Sequence, residues 1–290
     1  MGAADVVPGV SGGTIAFISG IYEELIYSLK SVDAAAVSLF FRGRFRDFWM
    51  HINGSFLLSV FAGIIISALS LAGLISYLLA EYPVLIWSFF FGLIVGSAIM
   101  VGKKVRRWTG GTWAALLAGA LLAWGITSMA PAHTPEAAWF VFLSGMIAIS
   151  AMILPGISGS FILLLLGKYK YILDAVASLD MKTILIFILG CVAGLLSFSR
   201  LLAWMFRRFH DLTVALLTGF MIGSLNKVWP WKTVLEWFAD RHGKMMPLLE
   251  KNVWPAQYEG EAQLPTAIFL ALAAFIMIVW LESLGSEKEA

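Results

Sequence analysis

The chain has 290 residues, 60% of them hydrophobic and 13% charged, where a soluble domain carries roughly 25% charged residues. With a mean hydropathy of +0.87, this composition excludes a water-soluble globule and defines an all-α integral membrane protein. The net charge of +2 implies no nucleic-acid partner, the single cysteine excludes an internal disulfide framework, and four histidines outside any ligand spacing give no metal or cofactor signal.

The first apolar stretch, residues 6–27, is broken by Pro8-Gly9-Val10-Ser11-Gly12-Gly13-Thr14 and then runs on to Gly20-Ile21-Tyr22-Glu23-Glu24. Proline and glycine release backbone groups from helical bonding, and each unsatisfied group in lipid costs several kcal/mol. Such a break is tolerated where protein or a water-filled cavity surrounds it, so the pattern predicts a re-entrant hairpin or broken helix rather than a simple span. The connection at 38–53 interleaves Phe40, Phe41, Phe45, Phe48 and Trp49 with Arg42, Arg44 and Arg46. It reads as an amphipathic segment on the cytoplasmic membrane surface in preference to a nucleic-acid patch.

Three spans follow at 56–79, 84–101 and 113–129, each near the ~20 apolar residues that a bilayer requires. A second broken stretch, 139–171, carries Pro155-Gly156-Ile157-Ser158-Gly159-Ser160 and ends at Gly167-Lys168-Tyr169-Lys170. Further spans are expected at 184–206, 212–228 and 267–284. The connection at 229–265, with Pro230, Pro247, Pro255 and several tryptophans, reads as a lid, an interfacial belt or a loop.

The two broken stretches are copies. Pro8, Gly9, Ser11, Gly12, Gly20 and Tyr22 fall on Pro155, Gly156, Ser158, Gly159, Gly167 and Tyr169 at a constant interval of 147. Gly63, Gly92, Gly96 and Ser97 fall on Gly190, Gly219, Gly223 and Ser224 at an interval of 127, which locates 20 extra residues near the basic connection. Three spans separate the copies, so the halves have opposite orientation. The expected architecture is an inverted-topology repeat, residues 1–134 and 135–290, each half one re-entrant hairpin plus three spans in a single membrane domain. An apolar arm, 138–151, precedes the second motif but only four residues precede the first, so the native chain is expected to extend upstream of Met1.

If the 30–53 connection is cytoplasmic, that side collects Lys30, Arg42, Arg44, Arg46, Lys103, Lys104, Arg106, Arg107, Arg207 and Arg208. The opposite short loops hold Glu81, Tyr82, His133 and Glu136. The positive-inside rule then places the C-terminus in the cytoplasm, the first motif entering from there and the second from outside.

Gly9, Ser11 and Gly13 match the GxSxG elbow of hydrolases, but neither the strand before it nor a triad is present. Backbone chemistry is the stronger reading. Exposed N–H groups of Gly12, Gly13, Gly159 and Ser160 at helix starts, with the hydroxyls of Ser11, Thr14, Ser158 and Ser160, suit an anion, and two such ends meeting near the midplane would form one pocket. Close helix packing by the glycines is the competing account. Arg200 lies inside the fourth span, where an intramembrane arginine is a functional candidate whose planar fork suits phosphate, the competing account being that it snorkels to the cytoplasmic interface about 9 Å along the helix. Asp5 and Glu23 are the acids that could take up a proton and couple transport to a gradient, while Lys168 and Lys170 make the second copy more basic. The pairs Gly63/Ser67, Gly190/Gly194, Gly92/Gly96 and Gly219/Gly223 are expected to serve helix contact.

The run Ala4 to Thr14, Gly20-Ile21-Tyr22-Glu23, Pro155-Gly156-Ile157-Ser158-Gly159, Gly223-Ser224-Leu225 and Trp229-Pro230-Trp231 resembles the bacterial undecaprenyl (polyprenyl) phosphate translocase family over nearly the whole chain. The resemblance implies a flippase of the cytoplasmic membrane that returns undecaprenyl phosphate, a lipid carrier of cell-wall synthesis, from the outer to the inner leaflet, and not an enzyme. With that substrate, the residues read above, Ser11, Gly12, Gly13, Thr14, Ser158, Gly159, Ser160 and Arg200, are the expected headgroup-binding residues. The alternative is an integral polyprenyl pyrophosphate phosphatase, which looks like an inverted repeat too but carries a PGxSRSG-type motif. Gly12 and Gly159 stand where its catalytic arginine would be, which argues for binding phosphate without cleaving it.

Overall fold

The computed structural model describes residues 1–2, 11–132, 134–239 and 245–286. They are mostly helical, and four of the helices are long and apolar enough to cross a membrane. Helices α1 (Gly12–Ile18) and α2 (Tyr22–Lys30) form the first hairpin. Short α3 (Ala34–Phe41) and α4 (Phe45–His51) lead to α5 (Gly54–Glu81), α6 (Pro83–Lys103) and α7 (Gly110–Ser128). Next come α8 (Ala138–Ile153), the second hairpin of α9 (Gly159–Leu165) and α10 (Tyr169–Ala177), then α11 (Met181–Arg208) and α12 (His210–Ser224). Antiparallel strands β1 (Lys232–Ala239) and β2 (Met245–Asn252) precede the closing α13 (Leu264–Ser286).

The bounds of α1 and α2 recur in α9 and α10 at the interval of 147, and those of α5 recur in α11 at 127. The local causes recur as well. Ser11 and Ser158 enter α1 and α9 with extended backbones, φ −111° and −98°. Gly20 and Gly167 make the bend that follows at φ +74° and +62°, a region that a Cβ disfavours. At Gly167 a Cβ would also stand 2.4 Å from the Ala132 carbonyl oxygen. The end of α9 bonds to the segment that precedes α8: Ala132 N–H donates to Leu165 O at 2.8 Å, and Lys168 Nζ donates to Thr134 O at 2.9 Å.

Long helices pair through glycine. A Cβ at Gly92 of α6 would lie 2.0 Å from Ala271 O of α13, and one at Gly219 of α12 would lie 2.1 Å from Leu116 O of α7. Gly190 of α11 meets Phe142 O of α8 in the same way, at 2.1 Å. Backbones this close exchange dispersion contacts along their whole length, which is how helices associate where lipid removes the hydrophobic drive. Gly63 of α5 departs from the expectation among the described residues, because a Cβ there would meet none of them within 4 Å. The helix α8 covers α11; on α5 the described contact beside Gly63 is Gly2, whose Cβ would lie 2.2 Å from Ile64 O, and Ile65, Ile66 and Leu69 stay exposed.

The connection at 229–265, expected as a lid, belt or loop, contains a two-stranded β-hairpin, and the fold around it is helical, as an all-α membrane protein requires. Trp231 of this connection is buried against Val84 and Ala267, at the starts of α6 and α13. The other end of the molecule is basic. There the Arg107 N–H donates to Asp211 Oδ2 at 3.1 Å and joins the starts of α7 and α12. Their far ends meet through Asn226 Nδ2 and Ser128 Oγ at 3.1 Å, so the two helices run parallel from the basic end to the β-hairpin end.

Candidate functional site

The two glycine-rich motifs touch each other. The Ser11 hydroxyl is shared between the carbonyls of Met152 and Leu154 at 3.2 and 3.0 Å, and Ser11 Oγ accepts from Gly13 N–H at 3.1 Å, capping α1. In return the Gly156 N–H donates to Thr14 Oγ1 at 3.0 Å. The Tyr22 hydroxyl reaches Ile153 O at 3.1 Å. The second break leaves backbone groups without helical partners, and side chains of the first copy satisfy them. Ser11 and Thr14 are fully buried and Ser158 nearly so.

Glycine makes the crossing possible. A Cβ at Gly13 would lie 2.5 Å from Ile153 O, and one at Gly159 would lie 2.8 Å from Ala148 O. Gly156 sits at φ +91° with Ser224 Oγ 2.6 Å from where a Cβ would be. Each of these glycines thus sits where a side chain would clash. Ser158 Oγ and Ser160 Oγ are 2.7 Å apart, so one donates to the other and the pair keeps one O–H for a further acceptor. Thr14 Oγ1 accepts from Gly156, which leaves its own hydrogen to donate.

Among the described residues Arg200 makes no hydrogen bond to either motif. It is exposed, and its guanidinium donates to Leu196 O at 3.0 Å and to Val32 O at 3.3 Å, on the segment that closes the first hairpin. Two carbonyls use part of a fork with five donors. Glu23 lies at the basic end, its Oε1 3.1 Å from His210 Nε2, while His210 Nδ1 is 3.4 Å from Asp211 Oδ1. The imidazole thus stands between two carboxylates. Sequence reasoning missed His210, which is 187 positions from Glu23 and belongs to no motif. Asp5 lies outside the described residues. Lys168 is buried, bonded to Thr134 O and set over the rings of Phe140 and Tyr171 at 5.6 and 5.3 Å, which makes it a clasp of the second hairpin.

A relative from Vibrio cholerae serotype O1, named polyprenyl-phosphate transporter, is 47% identical over 290 residues, covering 100% of this chain and 94% of its own. Another of the same name, from Staphylococcus aureus, is 31% identical over 260 residues, 83% of this chain and 87% of its own. No solved structure matches the chain. The undecaprenyl phosphate translocase-like family model matches residues 1–246. A match over most of the chain, with a relative aligned along its full length, places this protein in that family: it is a member of the undecaprenyl phosphate translocase-like proteins.

Proposed function

We propose that the protein carries a polyprenyl phosphate across the membrane and does not cleave it. The observation that carries this reading is the direct contact of the two motifs, which gathers Ser11, Gly12, Gly13, Thr14, Ser158, Gly159 and Ser160 at one place between hairpins. The Ser158/Ser160 pair and Thr14 supply neutral donors to the phosphate, and the isoprenoid tail stays in lipid. A phosphomonoester bound by neutral donors can leave again, whereas a cleaving site needs a positioned cation and a nucleophile. Gly12 and Gly159 stand where the phosphatase-type motif would put its arginine. The relatives' names support the same substrate class.

In this reading the halves are an inverted-topology repeat with re-entrant hairpins. The matching helix bounds support it, as does the pairing of α6 with α13 and of α7 with α12. The basic end faces the cytoplasm of a bacterial inner membrane with the C-terminus on that side, and the carrier lipid returns from outer to inner leaflet. Arg200 meets the phosphate on the cytoplasmic half of the path, with the donors that Val32 and Leu196 leave unused. Glu23 with His210 carries the coupling proton.

A leaflet-sidedness assay with labelled undecaprenyl phosphate in proteoliposomes tests this, with a pH gradient imposed. Wild type is expected to move the lipid and to release no phosphate from polyprenyl pyrophosphate. Ser158→Ala/Ser160→Ala and Arg200→Ala are each expected to lower the rate at least tenfold, which is about 1.4 kcal/mol of transition-state stabilisation, with unchanged thermal unfolding. Wild-type rates in both variants would remove these residues from the path, and phosphate release would favour the enzyme.

A further inference from the structure

A cavity of about 310 Å³ opens at the β-hairpin end, between the ends of α7 and α12, the β-hairpin and α9. Its polar wall includes Asn226, Lys227, Lys232, Glu250, Lys251 and Asn252, and its floor is Phe161 and Leu164 of the second hairpin. Lys227 Nζ and Lys232 Nζ both reach Glu250 Oε2, at 3.0 and 3.4 Å. Two ammonium groups thus share one carboxylate oxygen, and Lys251 adds a third cation, exposed on the same wall. The Lys232 side chain is only 6% exposed and lies over the Trp87 ring at 4.0 Å. Burying an ammonium is costly unless it is paired, and here the cations outnumber the anion available to pair them. Burial pushes Lys232 down to about 8 even though Glu250 draws it up. Asn252 Nδ2 donates to Asn226 O and Oδ1 at 2.8 Å, which holds the strand against the end of α12.

We propose that this cavity is a receiving site for a phosphate monoester, in which the incoming phosphate displaces Glu250 from the two lysines. The proposal rests on the transport reading for its direction but not for its chemistry. Surplus cations around a cavity with a replaceable carboxylate suit a dianion, and the apolar floor suits the first isoprene units of a lipid phosphate. Phe161, whose ring centroid lies 5.0 Å from Lys227 Nζ, is three residues from Ser158, about 4.5 Å along the helix, so α9 joins the cavity to the Ser158/Ser160 hydroxyls.

The test is a binding titration on the full-length protein in lipid nanodiscs at low salt, with labelled farnesyl phosphate as probe and farnesol and inorganic phosphate as competitors. Lys251→Gln is expected to weaken binding about fivefold to tenfold, and Glu250→Gln, which removes the resident anion, to tighten it several-fold. Farnesyl phosphate should also protect Lys251 from a membrane-impermeant acylating reagent. Because Lys251 is exposed, its loss is not a folding defect. Displacement by inorganic phosphate only at far higher concentration assigns the lipid as the source, and equal potency assigns free phosphate. Unchanged affinity in both variants with no protection of Lys251 overturns the proposal. If wild type moves no lipid in the sidedness assay, the transport reading falls while the titration still judges the cavity. If both variants bind and transport as wild type, the cavity falls and the transport reading stands.

Discussion

Ser11 shows how one side chain closes a motif against its copy. Its hydroxyl serves two carbonyls of the second motif while its oxygen caps α1. Replacing it with alanine leaves buried backbone groups unpaired, at a cost of about 1–3 kcal/mol, and Ser11→Ala should lower the thermal midpoint in detergent by several degrees. An unchanged midpoint would mean that Met152 and Leu154 find other donors. At the opposite end, titration reports on Lys232, which is depressed to about 8 mainly by burial. A lysine depressed on folding binds its proton less well in the native state, so between pH 8 and its ordinary value of 10.5 the unfolded chain holds more protons and stability rises with pH. Burial alone would raise the Glu250 carboxyl, but Lys232 and Lys227 together hold it below the ordinary carboxylate range, so its contribution is present at neutral pH and is lost in acid. Thermal unfolding followed from pH 8 to 10 should show the rise in wild type and a flatter profile in Lys232→Met. Equal slopes would sink this assignment.

Among the elements, the helix pairs depend on particular glycines. Gly219 lets α12 lie against α7, and Gly92 does the same for α6 and α13. Gly219→Leu must push two backbones apart and should reduce folded yield and thermal stability by more than about 2 kcal/mol, whereas Gly63→Leu, which meets none of the described residues within 4 Å, should stay near wild type. Similar losses in both would mean that α5 carries a contact at that face. Sequence spacing marked all four glycine pairs alike, because a small residue in an apolar run looks the same whether or not a neighbour arrives. The aromatic and basic interleaving at 38–53 marked an amphipathic segment but not its division into α3 and α4, where Phe40 packs edge-on against Phe41, Phe45 and Phe48. The β-hairpin was not legible, since prolines and mixed charges at 229–265 fit any exposed connection.

Over the whole molecule the charge is polarised, with Lys103, Lys104, Arg106, Arg107, Arg207 and Arg208 at one end and the β-hairpin at the other. In a Cys191→Ser background, cysteines placed at Arg107 and at Lys251 should react with an impermeant maleimide from opposite faces of intact cells, Lys251→Cys from outside. Labelling of both from one face would overturn the proposed orientation, because the two positions cap opposite ends of the parallel α7 and α12.

The sequence by itself determined the membrane class, the two proline-glycine breaks and the intervals of 147 and 127, because hydropathy, backbone restriction and repetition are local properties. It marked the serines but not their work, and it could not tell packing glycines from ligand-binding ones. Tertiary structure decided that Ser11 and Thr14 bond across to the second motif, that Arg200 turns toward Val32, and that His210 stands beside Glu23. It also brought Lys227, Lys232 and Glu250 to one cavity. The reason is physical: each of these contacts joins groups from separate elements, and its geometry exists only once the helices have packed.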